Sequence, residues 1–204
     1  MSAIRRWAVI LAIFLAARGA GAQTGHITGS KHDFSAQAWA AQQICIVCHT
    51  PHNGGAGAGP LWNHASTTAP FTLYSSDTFD GTFAPSAPVG ASRACLSCHD
   101  GTVALDSYGG NTGTTLLTGP ALLGANLADD HPVSFTYDNL ADPELWNPTI
   151  AGRGPRGGSI QDEMLFGGRV ECASCHDVHN SFNQAKLLVK SNVGSALCLT
   201  CHDK

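Results

Sequence analysis

Over 204 residues the chain is 43% hydrophobic and only 13% charged, with a formal net charge of −4. That balance excludes a solvated disordered tail, and it excludes a partner held by a basic face, as nucleic acid would require. What sets the sequence apart is eight cysteines and ten histidines.

In chain order, the first segment reads as an export leader. Arg5 and Arg6 precede an apolar stretch from Trp7 to Ala17, and Ala20-Gly21-Ala22 forms an A-x-A cleavage site before Gln23. This is the pattern of a secretory signal peptide over residues 1–22, and its apolar run falls short of the ~20 residues a membrane span needs. Beyond residue 22, eight basic residues face fifteen acidic ones, a net charge of −7. Export implies an oxidising compartment, periplasmic or extracellular, where unprotected thiols pair. Something must occupy eight of them.

The cysteines follow one pattern four times: Cys45-Ile46-Val47-Cys48-His49, Cys95-Leu96-Ser97-Cys98-His99, Cys172-Ala173-Ser174-Cys175-His176 and Cys198-Leu199-Thr200-Cys201-His202. No cysteine is left over. C-x-x-C-H is the attachment signature of c-type haem. Two sulfurs one turn apart meet the two vinyl groups on one porphyrin edge, and the adjoining His falls beneath the iron as its proximal ligand. Zinc ribbons also use paired C-x-x-C, but zinc does not require His after the second Cys of every pair. Adjacent disulfides would leave the same histidines unexplained. The expectation is four covalent haems, with His49, His99, His176 and His202 as proximal ligands.

Each iron has a second axial position, usually taken by His or Met in electron-transfer cytochromes. After residue 22 there is one Met, Met164, so His must fill most of these positions. The candidates are His26, His32, His52, His64, His131 and His179. His52 and His179 sit alike, three residues past a proximal His in C-x-x-C-H-x-x-H-N, so each is expected to reach an adjacent haem rather than its own. His131 precedes Pro132 in an extended context between the second and third motifs. His32 and His64 compete for the fourth place, and His26 stands close to the cleavage site. Two imidazoles per iron leave no vacant position, which suits moving electrons rather than binding substrate.

The first and third motifs share one form; the second and fourth share another. The chain therefore reads as two dihaem modules, residues 23–125 and 126–204, within one integrated domain. Short helices are expected at the motifs and over Ser35 to Ile44, with a further turn over Ala121 to Leu127. Gly54 to Pro60 and Gly152 to Gly158 are expected loops. The 182 residues after position 22 leave roughly 45 per haem, too few for a large conventional core. The fold class expected is mostly coil with short α-helices, organised around a chain of four haems.

Several segments carry a family resemblance: Lys31-His32-Asp33-Phe34, Cys45 to Asn53, Pro60-Leu61-Trp62-Asn63, Cys95 to Gly101, His131-Pro132-Val133 and Cys172 to Asn180. In these the chain resembles secreted multihaem c-type cytochromes with doubled CxxCH motifs, above all the tetrahaem subunits of extracellular cytochrome filaments. The resemblance implies bis-His haems in a continuous chain, electron transfer to extracellular acceptors or redox partner proteins, and self-association through one inter-subunit His ligand. It makes His32 that ligand and His64 the closest contender for an internal one. The expected function is non-enzymatic electron transfer. A soluble periplasmic tetrahaem shuttle and a multihaem reductase with one open haem are the alternatives.

Overall fold

A computed structural model describes residues 27–55 and 59–204. The expected leader, its cleavage site and His26 lie outside the described residues, as does the middle of the Gly54–Pro60 loop. Frequent Gly and Pro cut the apolar runs short, and turns dominate as a result. The longest helix, α1 (Gly90–His99), carries the second motif. Three single-turn helices follow: α2 (Ile160–Glu163), α3 (Cys172–Cys175) and α4 (Cys198–Cys201). The last two carry the third and fourth motifs. The first motif is one helical turn, closed by the His49 N–H donating to the Cys45 carbonyl at 2.8 Å.

The helix expected over Ser35 to Ile44 reduces to a 3-10 turn at Ala38–Ala40. Ala41 and Gln42 then take left-handed backbone conformations, with φ of 50° and 59°, which end any helix there. The turn expected within Ala121 to Leu127 is no helix either; its backbone donates from Leu123 to the His99 carbonyl instead.

Three two-residue strands, β1 (Thr82–Phe83), β2 (Phe135–Thr136) and β3 (Arg169–Val170), form an antiparallel sheet in sequential order. Phe83 pairs with Phe135, and Phe135 with Val170. The sheet joins the two halves of the chain, and α1 packs against α3 beside it. The main buried cluster is Phe135, Tyr137, Ile160, Met164, Val170, Val189 and Leu197, with Val47 and Leu96 buried separately in the first half. Phe79 and Phe83 reach over from the first half, and Phe79 meets Phe135 edge to face at 5.3 Å. Among the described residues no helix is long and apolar enough to cross a membrane.

Candidate metal centres

None of the eight cysteines is paired in a disulfide. The second Cys of every motif is turned inward. Burial pushes the thiols of Cys48 and Cys175 up to about 11 and those of Cys98 and Cys201 up to about 12, with neighbouring thiols adding to each. Cys45 and Cys198, first in their motifs, are exposed. Cys95 and Cys172 hydrogen-bond to each other, which raises the first and lowers the second. The second and third motifs therefore meet at their attachment cysteines, although 77 residues separate those cysteines in the chain.

Three of the four histidines that close the motifs are held by a recurring contact. Nδ1 of His49 lies 2.9 Å from the Pro60 carbonyl, Nδ1 of His99 is 2.8 Å from that of Ala121, and Nδ1 of His176 is 3.0 Å from that of Lys186. An Nδ1–H donated to a carbonyl fixes the tautomer and leaves Nε2 as a lone-pair donor to a metal. His202 is anchored through its backbone, whose carbonyl accepts from the Trp146 indole at 2.9 Å.

Three of these rings face a histidine from far along the chain. His32 and His99 have ring centres 6.0 Å apart, His49 and His179 6.1 Å, and His131 and His202 6.4 Å. Two imidazoles on opposite sides of one metal ion, each bonded at about 2 Å, hold their ring centres about 6 Å apart. The interplanar angles of 42°, 13° and 73° all suit such pairs, since an axial imidazole can turn about its metal bond. Of the facing rings, His131 has the same contact, Nδ1 lying 2.9 Å from the Pro132 carbonyl, while His179 Nδ1 stands 3.6 Å from the Asp177 carboxylate, beyond hydrogen-bond reach. Burial, with His99 and His176 nearby, lowers His32 to about 4, which keeps its imidazole neutral and able to ligate. The residues present thus fit haem. Among the described residues, no three Cys, His, Asp or Glu side chains converge as a metal-ion site, so the donors come as Cys pairs and His pairs.

His64 is built differently. It is 5% exposed, and both ring nitrogens contact backbone carbonyls, Nδ1 at Ala65 (2.8 Å) and Nε2 at Ala104 (3.0 Å). Its Nε2 also lies 3.6 Å from Cys98 Sγ, so the ring packs beside the second motif. His52 is exposed and lines a cleft of about 680 Å³ with Trp62, Asn63 and His64. Among the described residues its ring makes no contact with His176, which is also exposed. His32, which the resemblance assigns to a neighbouring subunit, here faces His99 of its own chain.

One feature went unread in the sequence. Glu171, directly before Cys172, is 1% exposed. It accepts hydrogen bonds from Ser92 at 2.5 Å and Ser134 at 2.8 Å, and it caps α3 in a reciprocal pairing with Ser174. The spacing Glu171-x-x-Ser174 is a capping signal in reverse order, with the acid first, and that order hides it. Arg153, in the Gly152 to Gly158 loop, stacks on Trp146 with its guanidinium carbon 3.4 Å from the ring centre.

Residues 166–204 match a family described as the doubled CXXCH motif. No curated protein matches the chain. The paired C-x-x-C-H motifs point to covalent c-type haem and to a haem-binding electron-transfer cytochrome. Such cytochromes are typically exported.

Proposed function

We propose that this chain is a tetrahaem c-type cytochrome that conducts electrons and catalyses no reaction of its own. The observation that carries the reading is the set of His pairs at 6.0–6.4 Å, which join residues between 67 and 130 positions apart. Local chain geometry cannot produce three such spacings on proximal histidines of C-x-x-C-H motifs. When bound, the haems supply reversible one-electron ferric–ferrous chemistry. The chain's residues do the rest. His49 with His179, His99 with His32 and His202 with His131 would hold three of the irons, and the Nδ1 contacts of His49, His99 and His131 leave Nε2 available to ligate. Closed axial faces keep substrate away from iron.

The fourth ligand is His52, serving the haem at His176. The C-x-x-C-H-x-x-H-N repeat makes this the counterpart of His179 serving His49. Both rings are exposed in the single chain, so this pair suits a contact between copies, and we assign the inter-subunit ligand to His52 rather than His32. Linked head to tail, copies would form an exported, electron-conducting filament that delivers to extracellular acceptors. A soluble periplasmic shuttle, in which His52 folds onto its own His176, is the second reading. An enzyme with an open haem at His176 is the third, favoured by the same exposure.

The test is a pyridine haemochrome count on the purified holo-protein, followed by carbon monoxide titration of its reduced form at neutral pH. Four haems per chain and no carbon monoxide binding in assembled material are the expected results. Fewer haems, or stoichiometric binding in that material, would overturn the reading. Sizing and electron microscopy separate filament from shuttle.

A further inference from the structure

We propose that Glu171 is a potential-setting residue: a buried carboxylate that lowers the reduction potentials of the two haems attached at Cys95 and Cys172. The inference rests on the tetrahaem reading and adds a residue to it.

The residues before the first Cys of the other motifs are Ile44, Ala94 and Leu197, all apolar. Only the third motif begins with an acid, and that acid lies where the second and third motifs touch. Ser92, on α1, accepts from the Cys172 N–H at 2.9 Å and donates to Glu171 at 2.5 Å. Ser134 accepts from the Val89 N–H at 2.9 Å and donates to the same carboxylate oxygen at 2.8 Å. The carboxylate is thus gripped from α1 and from the segment entering β2. Beside it, the Cys95 and Cys172 thiols hydrogen-bond to each other.

A helix cap does not need a charge here. Ser, Thr or Asn would cap α3 without the desolvation penalty of a buried ion, which runs to several kcal/mol. The other oxygen of Glu171 meets Arg169 at 3.4 Å, but the Arg side chain is 36% exposed while the Glu side chain is 1% exposed. Solvent therefore screens the cation more than the anion, and the protein beside the two attachment cysteines carries a net negative field. Reduction adds one electron to a ferric haem, and a nearby fixed negative charge opposes it. Both haems should be harder to reduce than they would be without the carboxylate.

The test is potentiometric titration of the holo-protein, followed by visible spectra, for the wild type, Glu171→Gln and Arg169→Gln. Glu171→Gln is expected to raise two of the four haem potentials and shift their ferrous-to-ferric ratios about tenfold at fixed ambient potential, about 59 mV for one electron. Arg169→Gln leaves the serine contacts intact, and it should move the same two haems the opposite way by a smaller amount. Opposite signs are a result that simple loosening of the structure cannot give. Unmoved potentials, equal shifts at all four haems, or shifts of one sign in both variants would overturn the proposal. The haem count of the wild type checks the reading beneath it: that failure shows as missing haem, whereas this one shows as four haems without the paired, opposite shifts.

Discussion

The two halves of the chain carry the same pair of motifs and solve different problems with them. In the second half, 26 residues separate Cys172 from Cys198, and the buried cluster around Phe135 and Ile160 is drawn from that half. In the first half, 50 residues separate Cys45 from Cys95. The extra length runs as turns, held by backbone contacts such as Thr50 to Leu61 and by Tyr108 donating to the Trp39 carbonyl. The doubled-motif family match falls on the compact pair and not on the extended one. Motif spacing, more than motif identity, thus goes with how a module packs: the first half buries single side chains such as Val47 and Leu96 beside its motifs, the second a joined cluster.

Withholding haem should expose this difference most strongly. In the apo-chain, hydrogen exchange is expected to show residual protection only around Phe135 to Leu197, with the segment from Ile27 to Tyr74 exchanging freely. Equal protection of both halves would break the comparison. A cavity in the core comes next: Ile160, wholly buried, should cost about 2–5 kcal/mol when cut to Ala, as read by denaturant unfolding. Cutting Leu61, 48% exposed in the first half, should fall within about 0.5 kcal/mol.

Ligand changes sharpen the account at single haems. His32→Ala, His131→Ala and His179→Ala should each convert one haem to high spin, read by electron paramagnetic resonance. His64→Ala should leave every haem low spin and cost about 1–3 kcal/mol of stability through the carbonyls it leaves unpaired. Smallest of all is the exposed ion pair of Lys204 with Glu144: Lys204→Ala should change stability by about 0.5 kcal/mol or less.

Much of the site was legible because covalent chemistry leaves a literal signature. Cys and His at fixed spacing mark attachment and the proximal ligand without any knowledge of the fold. The remaining histidines were legible only as a pool, since which ring faces which depends on contacts across 67 residues or more. His64 sits buried between the Ala65 and Ala104 carbonyls, a placement that no spacing announces. The helix expected at Ser35 to Ile44 failed because left-handed Ala41 and Gln42 carry no compositional mark. Two-residue strands show no alternation, so β1 to β3 had no pattern to read. Glu171 was invisible because its role comes from Ser92 and Ser134, brought to it by tertiary packing.

The central claim is that three long-range His pairs close three irons within one chain. A density map of the holo-protein tests it directly. The account predicts His179 opposite His49, His32 opposite His99 and His131 opposite His202, each across a porphyrin thioether-linked to its own motif. Any of these three irons ligated by His64, or left with a vacant sixth position, would contradict it.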